Sequence, residues 1–485
     1  MKRKIVLLIN PNQMKPPVTP VALDYLAQSL EEKKLGVRVL DLAFSADAEG
    51  DIHAALKETD PLLIGVTVRN LDDSYLASQD FCLERTKKII DLLKAHSEAR
   101  LVLGGVGFSI APQAALAYCG VDLGIWGEGE EALPLIAERM AGGSELHDVP
   151  GLIFREGNAF HCNPARFSDL KQATLARRGA VDNLRYLKEG AMVGFESKRG
   201  CDQGCAYCAD PVAKGRKVRL RDPAQVAEEL ANLHAQGIDH FHTCDSEFNI
   251  PEFHAIAVCE EIVRRGLGNK IRWFAYASPT PFSEELARWM RRAGCAGIDF
   301  GVDHGDPAIL QALGRSHAPD DIQKTARLAK EQGFSLLFDL LLGSPGETRR
   351  TIDRAIDLMK ETSPDRVGVS LGVRVYPGTP LFRQLGRRGV GLRNPNFQGA
   401  VEGNDGYLRP LFYLSSALGE DIDEYLEGRI GGDVRFLFGN RSQVDRNYNY
   451  NDNSILIEAI AEGYRGAFWD ILRRISPGRP GPNPE

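Results

Sequence analysis

"CDQGCAYC", residues 201–208, places Cys201, Cys205 and Cys208 inside eight positions of a chain with nine cysteines in 485 residues. Three chemistries use such a trio. Structural zinc closes a tetrahedron and needs a fourth ligand; none lies close in sequence, although His240, His242 or Cys244 could fold back. A redox pair, Cys205 with Cys208, leaves Cys201 unexplained. An iron–sulfur cube held by three thiolates leaves one iron open for a substrate or cofactor. Gly200 and Gly204 suit this third reading, because they let backbone amides approach the sulfurs.

The spacing Cys-x-x-x-Cys-x-aromatic-Cys, with Tyr207 as the aromatic residue, resembles the signature of the radical S-adenosylmethionine (SAM) superfamily. The resemblance implies a [4Fe–4S] cluster on Cys201, Cys205 and Cys208 whose open iron is chelated by SAM. SAM is then cleaved to methionine and a 5′-deoxyadenosyl radical. Downstream, strand-like and helix-like segments alternate. "AMVGFES" (191–197), "IDHFHTCDSEF" (238–248), "IRWFAYASP" (271–279), "GIDFGVD" (297–303), "SLLFDLLLG" (335–343) and "RVGVSLGVRVYPGTP" (366–380) read as strands. Repeated βα units mean a parallel sheet, and about six of them match the partial barrel of that superfamily. Active residues of such barrels stand at strand carboxyl ends.

Those ends also resemble the family. Residues 293–322 are similar to its "AGC…GVESG…K" stretch, "LLLGSPGET" to "G-PGET", and "VYPGTPL" to "YPGTPL". The resemblance implies SAM contacts from Tyr207, Asp245, Glu247, Asp303 and Gly343. Two departures stand out: Asp303-His304 replaces Glu-Ser, and Arg315 stands where lysine is common.

Before the cysteines, "KIVLLIN", "VRVLDLA", "LIGVTV", "ARLVLGGVG" and "DLGIWGE" are five apolar strands separated by helical stretches, the pattern of a doubly wound α/β domain. No phosphate-binding P-loop or G-x-G-x-x-G fingerprint follows the first strand. Residues 17–42, "VLGGVGFSIAPQAAL" (102–116) and "VDLGIWGEGEEAL" (121–133) together resemble the cobalamin-binding domain of one radical SAM branch. That implies cobalamin contacts from Gly104, Gly105, Gly107, Gly127, Glu128 and Gly129, with Arg69 and Asn70 under the corrin. The cobalt-ligating histidine of other cobalamin domains is missing from the loop "NPNQMKPPVTP", so cobalt is expected to lack a histidine ligand.

Composition is ordinary, with 43% hydrophobic and 26% charged residues. A net charge of −7 argues against general binding to nucleic acid or anionic membranes. No apolar run reaches the length of a membrane span. The start, "MKRKIVLLINPNQ", reads as a first strand rather than a signal peptide, and a cytoplasmic location is expected, where thiols stay reduced.

The expected organisation is a Rossmann-like cobalamin domain over 1–145, a linker over 146–190, and a partial (β/α)6 barrel over 191–390. A mostly helical, substrate-covering region with a frayed tail completes it over 391–485. The resemblance implies a methyltransferase acting on an unactivated carbon through the 5′-deoxyadenosyl radical and methylcobalamin. Its expected partners are a small-molecule substrate and a flavodoxin- or ferredoxin-type electron donor. A cyclase or rearrangement enzyme of the same branch, and a non-catalytic cobalamin or redox sensor, are the alternatives.

Overall fold

A computed structural model describes residues 5–172, 175–386, 394–441 and 453–475. The aromatic- and asparagine-rich stretch 442–452 and the tail 476–485 lie outside them.

The first sheet has seven strands in the order β2-β1-β3-β4-β5-β6-β7. Its parallel part is Ile5–Asn10 (β1), Gly36–Asp41 (β2), Leu63–Thr67 (β3), Arg100–Gly104 (β4) and Leu123–Ile125 (β5). Side chains such as Leu7, Ile9, Ile64 and Val66 are buried on it, as the unbroken apolar runs require of a sheet covered on both faces. The strand order turns back at β1 and β3, so the carboxyl ends of these strands frame the crevice expected of a doubly wound sheet.

The stretch read as linker does more than connect. Leu152–Glu156 (β6) and Ala159–Cys162 (β7) form an antiparallel hairpin that extends this sheet beyond β5. Its turn is Gly157-Asn158, a short-range hairpin signal between alternating residues.

The second sheet is wholly parallel. In chain order its strands are Val193–Phe195, His240–Thr243, Arg272–Ala277, Cys295–Asp303, Ser335–Leu342, Arg366–Leu371 and Phe436–Phe438. The first six coincide with the segments read from sequence. The seventh comes from the C-terminal region and pairs with Arg366–Leu371, so that region lengthens the barrel sheet as well as covering it. It also supplies Phe397–Gly399 and Leu411–Tyr413 to a small antiparallel sheet with Val373–Arg374. Two helices, Ser454–Ala461 and Phe468–Ile475, pack Leu456, Ile460, Phe468 and Trp469 onto the barrel beside Phe274 and Leu337.

The two halves are joined by buried charge. Arg178, from the connecting segment, donates to Asp24 on the first-domain helix Val21–Glu32 at 2.9 Å and to Glu229 on the barrel helix Pro223–Ala235 at 2.6 Å. All three side chains are fully buried. Such a cluster is stable only if every member is paired. Asp24 also accepts from the amides of Ala180 and Val181, and Arg221 covers the second oxygen of Glu229 at 2.8 Å.

Candidate active site

The cysteine loop follows the first barrel strand. Cys201, Cys205 and Cys208 line one cavity of about 170 Å³ together with Tyr207, Asp210, Ser246, Glu247, Tyr276, Asp299, Arg315 and Asp339. The backbone bends there at Gly200 (φ +86°), where a side chain would collide with the Lys217 carbonyl. Ala206 N donates to Leu313 O at 2.7 Å, which pins the loop against the segment carrying Arg315. Burial pushes the Cys201 thiol up to about 11, and raises Cys205 and Cys208 as well.

No cysteine or histidine outside the trio lines this cavity. His242 and Cys244 line a different one, and His240 pairs with Asp239. Among the described residues no group of three or more His, Cys, Asp or Glu is gathered as a single metal ion demands. A four-iron cube takes one thiolate per iron and spreads its ligands, so the trio fits a cluster where it does not fit zinc. Glu247 also lines this cavity; its second oxygen is buried without a well-directed hydrogen bond, and the Ser278 side chain stands beside the carboxyl. Burial raises the Glu247 carboxyl, and the Arg315 guanidinium opposes that rise.

The remaining SAM candidates divide. Asp303, buried at φ +61°, accepts from Tyr207 Oη at 2.7 Å and pairs with Arg315 at 3.2 Å. Asp245 is spent within the fold: it accepts from the amides of Ser197 and Lys198 and pairs with the Lys198 ammonium. Gly343 lines neither cavity and packs against Leu414 and Gly372; its amide donates to Glu347 at 2.7 Å.

A second cavity, of about 600 Å³, lies between the two halves. Gly104, Gly105, Gly127, Glu128 and Gly129 line it from the carboxyl side of the first sheet, with Arg69 and Asn70 beside them. Gly105 (φ +107°) holds a turn that other residues rarely adopt. Gly107 is the exception: its amide donates to Arg69 O at 3.0 Å, and its missing side chain admits the Arg69–Asn70 backbone rather than a ligand. Glu128 accepts from Arg219 at 2.5 Å and from Ser168 N at 2.9 Å, so it braces the halves at the cavity rim. Asp72 is engaged by Arg374 at 2.8 Å. The Asn70 amide, oriented to satisfy both neighbours, accepts from Arg69 Nη1 at 3.1 Å. Its place at the carboxyl ends of a doubly wound sheet, floored by glycine turns, suits a bulky ligand such as a corrin with its nucleotide tail.

The opposite wall comes from the barrel and the C-terminal helices: Met192, His242, Tyr276, Leu456, Ile460, Phe468 and Trp469. His242 and Tyr276 meet edge to face at 4.9 Å. Burial, reinforced by Arg69, lowers the His242 imidazole to about 4. From sequence His242 stood only as a zinc ligand that could fold back; its alternation with buried Phe241 on a strand was the signal that it faces a cavity instead. Asp210, Ser246 and Tyr276 line both cavities, so the cysteine pocket and the large cavity adjoin.

Comparison with known proteins agrees with this geometry. Residues 195–359 match the family model of the radical SAM superfamily, and residues 12–137 that of the B12 binding domain. The chain is 30% identical to tryptophan 2-C-methyltransferase of Streptomyces laurentii, over 97% of this chain and 96% of that protein. It superposes on the radical SAM methyltransferase TsrM of Kitasatospora setae, solved with tryptophan substrate and the SAM analogue aza-SAM. The TM-score is 0.91 at 32% identity, over 97% of each chain. The same enzyme with cobalamin and a [4Fe–4S] cluster bound gives a TM-score of 0.89 at 31% identity, over 98% of each chain.

Proposed function

The chain belongs to the cobalamin-dependent radical SAM methyltransferases, and from that premise we propose that it methylates a ring carbon of tryptophan or a closely similar aromatic amino acid. Its cofactors are a [4Fe–4S] cluster, SAM and cobalamin. When bound, these supply the electrons, the methyl group and the methyl carrier.

The observation that carries the reading is the shared wall. Asp210, Ser246 and Tyr276 belong to both cavities, so a substrate between them touches the cysteine pocket and the corrin space at once. In this reading Cys201, Cys205 and Cys208 hold the cluster. Gly104, Gly105, Gly127 and Gly129 admit the corrin tail, and Arg69 and Asn70 stand beneath the ring. A guanidinium has no lone pair for cobalt, so Arg69 would not ligate the metal. The aromatic wall of His242, Tyr276, Phe468 and Trp469 supports a flat, apolar acceptor, and the helices that carry it exclude water. Electrons come from a low-potential donor of the flavodoxin or ferredoxin type.

A second reading concerns the fourth iron. The Glu247 carboxylate on the wall of the cysteine pocket favours its capping by protein, with SAM held off the cluster and serving only as methyl donor.

The test is anaerobic reconstitution followed by turnover with tryptophan. S-adenosylhomocysteine and a methylated tryptophan are expected. 5′-Deoxyadenosine among the products supports an open iron, and its absence supports the Glu247 cap. An enzyme loaded with four irons and one cobalamin that leaves tryptophan and other aromatic amino acids unmethylated would overturn the substrate assignment.

A further inference from the structure

Arg315 is 5% exposed and is held on four sides. Nη2 donates to the Gly301 carbonyl at 2.6 Å, and Nη1 lies 3.3 Å from Glu247. Nε lies 3.2 Å from Asp303, which Tyr207 fixes in turn. The remaining contact is to sulfur: Nη1 lies 3.0 Å from Cys205 Sγ.

We infer that Arg315 is a positioning residue that sets the electron affinity of the cluster through Cys205. The inference rests on the reading that the three cysteines hold a [4Fe–4S] centre. A guanidinium stays charged at every working pH, and its planar fork spans acceptors that a lysine ammonium meets only one at a time. A charged donor on a ligating sulfur favours the more negative, reduced cluster, and hydrogen bonds to sulfur together with net charge are the levers by which proteins move such potentials. Burial removes most of the screening that weakens such an effect at a surface. Asp303 and Glu247 act in the opposite direction, each offsetting part of the arginine charge.

This arrangement gives two substitutions of opposite sign. Arg315→Met removes the cation and leaves two uncompensated carboxylates beside the cluster, so the midpoint potential should fall. Asp303→Asn keeps the acceptor for Tyr207 but frees the arginine charge, so the potential should rise. Anaerobic redox titration of cofactor-loaded enzyme, followed by electron paramagnetic resonance of the reduced cluster, reads both. Iron counts per chain accompany each titration. Opposite shifts with four irons retained support the inference. Unmoved potentials, or shifts of the same sign, overturn it. Should Arg315→Met fail to take up iron, Arg315→Gln, which keeps a neutral donor toward Cys205, takes its place: a fall in potential supports the inference, and no change or a rise overturns it. A wild-type chain that takes up no four-iron cluster would instead overturn the reading on which the inference stands.

Discussion

Arg178 and Arg315 are both buried arginines flanked by two carboxylates, yet their surroundings differ. Around Arg178 every charge has an ion-pair partner: Asp24 takes two backbone amides besides the guanidinium, and the far oxygen of Glu229, which lacks a well-directed hydrogen bond, lies 2.8 Å from Arg221. Asp24, Arg178 and Glu229 themselves do not line the large cavity; it is touched only by their partners Tyr25, whose hydroxyl is bonded to Glu229, and Gly194, whose carbonyl accepts from Arg178, among the described residues of this network. Around Arg315 the network is incomplete. One oxygen of Glu247 and one of Asp339 lack hydrogen-bond partners, and three thiols face the same space. Saturated buried charge fixes the frame; unsaturated buried charge marks the place where something else completes the network.

The comparison breaks most severely at the cysteines. Replacing Cys201, Cys205 and Cys208 together by alanine should abolish iron uptake and all methyl transfer while leaving the thermal transition near the wild-type value. Four irons or SAM turnover in that variant would remove the basis of the site.

The saturated network should respond in the other way. Arg178→Met leaves Asp24 buried without its cation and Glu229 with Arg221 alone, and removing one partner of such a cluster costs about 3–5 kcal/mol. Chemical denaturation of the cofactor-free protein should show a loss of that order. A change under about 1 kcal/mol would mean that Arg178 does not hold the halves together.

Acid probes the large cavity. His242 is lowered from an ordinary 6.5 to about 4, so the unfolded chain binds the extra proton first. Stability should therefore fall as pH drops from about 6.5 to about 4 and be insensitive to this group above that window. The full shift corresponds to roughly 3 kcal/mol, an upper bound because the ring faces a solvent-accessible cavity. His242→Phe should flatten that part of the stability curve, and an unchanged slope would refute the assignment.

The smallest effects sharpen the difference between cavity glycines and packing glycines. At Gly104 an added Cβ comes no nearer than 3.9 Å to protein, so Gly104→Ala should keep the wild-type melting temperature and weaken cobalamin uptake. At Gly107 the same atom meets the Arg69–Asn70 backbone at 2.8 Å, so Gly107→Ala should lower the melting temperature instead. The reverse pattern would exchange their roles.

Much of this was legible before the structure. The cysteine loop and eleven strands follow from spacing and apolar runs, because parallel strands buried on both faces leave a continuous local signal. What escaped reading depends on contacts distant in sequence. Phe436–Phe438 is too short to carry a period, and only pairing with Arg366–Leu371 makes it part of the barrel. The hairpin β6–β7 carries a turn signal, yet nothing local says that it joins the first sheet. Gly104, Gly105 and Gly107 look alike as a motif, yet an added Cβ would be free only at Gly104: at Gly105 it would meet the Val68 carbonyl and at Gly107 the Arg69–Asn70 backbone. Arg315 was visible as a departure from lysine, but its contact with Cys205 spans 110 positions. Tyr276 could be placed on a strand face, not at the wall between two cavities.

The most direct measurement follows a labelled methyl group. SAM carrying a ¹³C, fully deuterated methyl is incubated anaerobically with the reconstituted enzyme, a low-potential reductant and tryptophan, and the products are resolved by mass spectrometry. The expected result is a tryptophan heavier by one intact labelled methyl on carbon, formed only when both the cluster and cobalamin are present and absent from the triple cysteine variant. Labelled methyl transfer that persists without cobalamin, or SAM consumption by fully loaded enzyme with no label in any aromatic amino acid offered, would contradict the account.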